Sequence, residues 1–159
     1  MRASRLSRYS WTMFDFANQP FYTLIMTFVF SVYFTDVFIT GEDGAQKLTL
    51  TQTISGVAIA ILSPVLGSIT DIKGNRKLFM GITSIFFVIG MTLLWYSPPG
   101  APDGIWIVMF GLILASAMVG FSEVFNNSVL ATIETPENSG WLSGMGYGLG
   151  YISGLIALI

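Results

Sequence analysis

Apolar and polar positions fall in blocks along this chain, with charged residues fencing off long uncharged runs. Twenty uncharged residues lie between Asp15 and Asp36, 23 between Lys47 and Asp71, and 25 between Lys77 and Asp103. A further 19 lie between Asp103 and Glu123, and 22 follow Glu137. A helix needs about 20 mostly apolar residues to cross the hydrocarbon core of a bilayer. The third run is shortened by Pro98, Pro99 and Pro102, and the fourth resumes after Glu123 as far as Ile133. The pattern predicts five transmembrane helices, over 10–37, 49–70, 77–97, 105–132 and 140–159, in one all-α membrane domain spanning 1–159.

The punctuation between the runs fits this division. Gly41-Glu42-Asp43-Gly44 is polar and flexible, and Thr49 with Gln52 fits a capping box opening the second span. The segment Ser97 to Gly104 is too rich in Pro and Gly to be helix throughout. Thr135, Pro136 and Glu137 suit the N-cap, N1 and N2 positions of a new helix. Pro20 has no N–H to offer the carbonyl of Phe16, so a kink is expected near it. Two glycine rows, Gly140/Gly144/Gly148 and Gly146/Gly150/Gly154, recur every four residues. That spacing suits close helix packing. It lacks the Gly-x-Gly-x-x-Gly order and preceding strand of a nucleotide loop.

Composition narrows the chemistry. Hydrophobic residues make up 53% of the chain and charged residues 10%, against about 25% charged in a soluble domain. Cys and His are absent, which removes disulfides, thiol nucleophiles, Cys- or His-built zinc sites and His acid–base steps. The net charge of -2, without a basic block, gives no sign of a nucleic-acid partner. No enzyme, metal or cofactor is expected, and the natural surroundings are a lipid bilayer.

The basic residues suggest an orientation. With a cytoplasmic N-terminus, Arg2, Arg5, Arg8, Lys73, Arg76 and Lys77 lie inside and Lys47 alone outside. The aromatics agree: Tyr9, Trp11 and Trp141 fall at inner boundaries, and Tyr33, Trp95, Tyr96 and Trp106 at outer ones. Asp15, Asn18 and Gln19 interrupt the first run too early for a cleaved signal. The apolar end at Ile159 suggests a chain cut short, with a complete five-helix protein as the alternative.

Two carboxylates lie where ionisable groups are expensive. Asp15 sits about 8 Å into the first span, and Glu123 roughly 12–14 Å from the inner end of the fourth, at 1.5 Å per residue. On a helical wheel Trp11, Asp15, Asn18, Gln19, Tyr22 and Met26 share one side of the first helix. Ser116, Gly120, Glu123, Asn126 and Asn127 share one side of the fourth. Neither stripe can face lipid cheaply, so both should face inward. Asn and Gln in such places bind a solute or merely pin helices together, the latter for about 0.6 kcal/mol each. No Lys, Arg or His lies within the spans to neutralise Glu123. It must hold a proton, share a hydrogen bond or meet a cation, which makes it a candidate proton carrier.

The segment from Gly67 through Asp71, Gly74, Arg76 and Lys77 joins the second and third spans. Gly67 would permit close helix approach, Gly74 a tight turn, and Asp71 and Arg76 a pairing across it. The plainer alternative is a solvated turn carrying positive-inside charges. The segment resembles the cytoplasmic signature loop of the major facilitator superfamily, with Ile72 and Asn75 in place of usual basic residues. The run from Ser10 and Trp11 through Asp15, Ala17 and Asn18 to Tyr22 resembles the first-helix signature of the autophagy-related vacuolar effluxer family and its bacterial relatives. Phe125-Asn126-Asn127, with Ser143 to Tyr151, resembles that family's fourth-to-fifth-helix region.

This resemblance implies twelve spans in two pseudo-symmetric halves, with the first and fourth helices lining a central cavity. The chain would supply five helices of the N-terminal six-helix half, with the C-terminal half missing as a partner. It also implies a secondary active transporter in the cell membrane, moving a small solute, amino acids among the options, by proton-linked alternating access. Its solute- or proton-binding residues would be Asp15, Asn18, Gln19, Tyr22, Glu123, Asn126 and Asn127. Its gating loop would be Gly67, Asp71, Gly74, Arg76 and Lys77. The rival expectation is a transport-incompetent fragment or a structural membrane scaffold needing a second half.

Overall fold

The computed structural model describes residues 4–40, 42–100 and 102–159, with the side chains of Asp71, Lys73 and Pro102 outside that description. Every regular element among the described residues is helical. There are five long segments: α1 (Arg5–Phe38), α2 (Glu42–Lys73), α3 (Arg76–Leu93), α4 (Ile105–Ile133) and α5 (Pro136–Ile156). The first four are long and apolar enough to cross a membrane. In α5 the glycines and serines dilute the apolar character of its 21 residues. Large apolar side chains stand exposed on the helices, among them Ile61, Val65, Ile85, Val88, Phe110 and Leu155. An outer surface of that kind suits lipid and not water. The chain is an all-α membrane protein.

Local chemistry explains most boundaries. Ser4 caps α1 by accepting from the Ser7 N–H at 3.2 Å. Pro20 closes the regular α-helical turns of α1, and wider π-type turns follow over Phe21–Phe28 and Phe34–Phe38. There the N–H groups of Val29 and Ile39 reach back five residues, to Leu24 and Phe34, each at 3.0 Å. The start of α2 differs from the expected Thr49. The helix begins at Glu42, where Glu42 and Asp43 favour the positive end of the helix dipole and Asp43 lies 3.6 Å from Lys47. Thr49 is therefore interior, its carbonyl accepting from the Thr53 hydroxyl. Gly74 turns the chain between α2 and α3 with φ +66°, a left-handed conformation that glycine adopts without steric cost.

The chain divides into two compact units, residues 1–31 with 126–159, and residues 32–125. In the first, α1 lies along α5. Trp11 and Asp15 meet the bare backbone of Gly146, Asp15 meets Gly150, and Gln19 and Thr23 meet Gly154. One of the two expected glycine rows is thus a packing groove. The other is open: a Cβ at Gly140, Gly144 or Gly148 would meet nothing within 4 Å.

In the second unit, α3 and α4 approach to backbone contact. A Cβ on Gly90 would lie 2.7 Å from the Ala115 nitrogen and 2.8 Å from the Gly111 oxygen. Gly120 likewise receives Ile59 of α2. Ala117, Phe121 and Phe125 form a buried cluster with Ile59, Leu66, Phe79 and Met80. The rings of Phe79 and Phe125 meet edge to face at 5.8 Å. Inside this core the hydroxyls of Thr83 and Ser122 hydrogen-bond to each other.

Candidate functional site

Proline chemistry sets the first feature of the site. The Phe16 carbonyl, deprived of a helical donor by Pro20, accepts from the Ser153 hydroxyl of α5. This bond lies where α5 is notched by Gly150 and Gly154, so the two helices are close enough for a short side chain to reach. The sequence foretold the orphaned carbonyl. Its partner, 137 residues away, was visible only in the fold.

The same close approach seats Asp15. Its Oδ2 lies 2.7 Å from where a Gly146 Cβ would stand, and its own Cβ is 3.6 Å from the corresponding point at Gly150. The carboxylate is half-buried, and no side chain among the described residues hydrogen-bonds to it. One turn earlier the buried Trp11 indole donates to the Asn126 carbonyl at 2.7 Å. The side-chain amides of Asn18 and Asn126 are buried at Nδ2, with no hydrogen-bond partner among the described residues. Leaving such a donor buried and unmet costs about 1–3 kcal/mol. Gln19 and Tyr22 border a groove of about 290 Å³ with Thr23, Thr27 and Tyr151. Asn127 is exposed.

An ion pair completes this unit. Arg8 Nη2 lies 2.8 Å from Glu134 Oε2, and the Glu134 side chain is only 2% exposed. Glu134 also accepts from the Thr135 N–H at 3.2 Å. Sequence reasoning counted Arg8 only as a topological charge and passed over Glu134. The available signal was a lone carboxylate at the end of a long apolar run, level with the first basic cluster. At the exposed start of α5, the Glu137 carboxyl is held below its usual range. Its own backbone N–H is the larger cause and the Thr135 hydroxyl the smaller.

In the second unit, Glu123 is half-buried on α4, two residues before the buried Phe125. The Gly67 position faces no backbone, since a Cβ there would meet only a Val124 methyl at 4.0 Å. The close approaches on α4 fall instead at Gly111 and Gly120. Arg76 is half-buried and Lys77 exposed. The Asp71 side chain, the centre of the expected loop chemistry, lies outside the described residues.

No family model matches the chain, and no solved structure matches it. It is 30% identical over 156 residues to an uncharacterized MFS-type transporter of Bacillus subtilis, YxiO, across 94% of this chain and 35% of that protein. It is 32% identical over 140 residues to an uncharacterized protein of Aquifex aeolicus, across 86% of this chain and 34% of that protein. The chain thus spans about a third of the length of the curated relatives it matches.

Proposed function

We propose that this chain forms part of a secondary active transporter of the major facilitator superfamily, a reading supported by its likeness to the Bacillus subtilis protein. The observation that carries the solute site is the polar face of α1. A half-buried carboxylate at Asp15 shares a unit with two buried amides, Asn18 and Asn126, that have no partner among the described residues. Ionisable and polar groups kept at such cost inside a bilayer mark solute and ion pathways.

In this reading Asp15 accepts a proton or the ammonium of a small solute. The amides of Asn18 and Asn126 donate to its oxygens, Gln19 and Tyr22 border its path, and Asn127 adds a hydrogen bond. A zwitterionic amino acid satisfies this mix of one acid and several donors. Glu123 serves as a second proton or cation carrier. The segment Gly67, Asp71, Gly74, Arg76 and Lys77 gates one side as two halves rock about the solute. The required partner is the remainder of a transporter of about three times this length, as the coverage of its relatives suggests. The same coverage is compatible with a second reading, a transport-incompetent fragment or a structural membrane scaffold needing a second half. In this reading the protein lies in the cell membrane, with its N-terminus in the cytoplasm, an orientation that the distribution of basic residues supports.

Flux through the intact transporter in proteoliposomes tests the assignment. Asp15→Asn and Glu123→Gln should each lower solute flux by about tenfold or more and flatten its pH dependence. Unchanged flux with an unchanged pH profile in both variants would overturn it.

A further inference from the structure

Arg5 and Arg8 sit on the first turns of α1, and Trp141 and Leu142 near the start of α5. Between them opens a groove of about 170 Å³, lined by Arg5, Arg8, Tyr9, Trp141, Leu142 and Met145. We propose that this groove binds the headgroup phosphate of an anionic phospholipid.

Charge argues for the phosphate. Among the described residues, two guanidinium groups line the groove and no carboxylate does. Glu134 neutralises one of them through Arg8 Nη2, which leaves one positive charge in surplus, on the exposed Arg5. A guanidinium presents a planar fork of donors that matches phosphate oxygens two at a time.

The walls argue for a lipid as the source of that phosphate. Tyr9 and Trp141 are 59% and 68% exposed, and amphipathic rings of this kind belong at headgroup level. The floor is apolar, with Leu142 wholly buried and Met145 beside it. Farther along α5, Ile152, Leu155 and Ile156 are exposed, offering an acyl chain an apolar track. A water-borne phosphate would use the arginines and gain nothing from the rings or the track.

The test uses the full chain in lipid nanodiscs of phosphatidylcholine carrying a minor share of brominated lipid, with quenching of Trp141 as the readout. The Trp141 signal is the difference between the parent chain and Trp141→Phe. Brominated phosphatidylglycerol should quench it roughly fivefold more effectively than brominated phosphatidylcholine, the preference expected from one basic side chain at an anionic surface. The preference should vanish in Arg5→Gln and persist in Lys47→Gln. Arg5 carries the decisive variant because Arg8 also holds Glu134. Equal quenching by the two lipids would overturn the proposal, as would a preference that survives Arg5→Gln. Inorganic phosphate that alters the Trp141 signal without any lipid preference would overturn the lipid assignment in favour of a dissolved phosphate.

Discussion

The two units bury different things and hold them by different means. The unit of residues 32–125 is built on contact between apolar surfaces. Gly90 and Gly111 bring α3 and α4 backbone to backbone, the phenylalanines fill the core, and the buried hydroxyls of Thr83 and Ser122 satisfy each other. The unit of residues 1–31 and 126–159 also uses glycines, but its notches receive a carboxylate, an indole and a threonine hydroxyl. It holds an ion pair whose carboxylate is buried, and it leaves amide donors at Asn18 and Asn126 unmet among the described residues. Apolar packing dominates the first arrangement, although it too buries the Ser63 hydroxyl without a hydrogen-bond partner among the described residues and carries the half-buried Glu123. The second retains more polar groups at a cost in stability, and the proposed roles of Asp15, Asn18 and Asn126 rest on that.

The largest effect expected in breaking this contrast is at Arg8. Removing it in Arg8→Ala strands the buried Glu134 carboxylate and should cost about 3 kcal/mol. Denaturation in detergent checks this, and Arg8→Met combined with Glu134→Leu should recover most of the loss.

Next comes a glycine series, read by thermal unfolding. Gly90→Ala forces backbone atoms of α4 aside and should cost about 2 kcal/mol. Gly146→Ala displaces the Asp15 side chain and presses on the Trp11 ring, for about 1 kcal/mol. Gly144→Ala, on the open row, should be neutral or stabilise by up to about 1 kcal/mol through helix propensity. Equal costs at all three would erase the distinction between packed and open rows.

A smaller loss, about 0.6 kcal/mol in a double-mutant cycle, is expected for Thr83→Val with Ser122→Ala. The smallest effect lies at Glu137. Its pKa is lowered in the folded chain, so its contribution is present above the unfolded-state value and lost as pH falls through the folded one. Glu137→Gln should lower thermal stability slightly near neutral pH and leave it unchanged in strong acid.

Much of the scaffold was legible along the chain because its causes are local. The uncharged runs mark the helices. Thr135 and Pro136 open α5, Gly74 turns in the left-handed region, and Pro20 orphans a carbonyl. Each follows from backbone geometry within a few residues. The expected cap at Thr49 missed because Glu42 and Asp43 already supply the charge that a helix start favours.

What the tertiary structure alone decided is who meets whom. Two glycine rows of identical spacing run along α5, and nothing in their periodicity says that Gly146, Gly150 and Gly154 receive α1 while Gly140, Gly144 and Gly148 stay open. Nor could spacing pair Arg8 with Glu134 or lend Ser153 to Phe16. A chain pattern fixes the face that a residue occupies on its own helix. The partner across the gap depends on how closely two backbones approach, and that is set by every side chain between them at once.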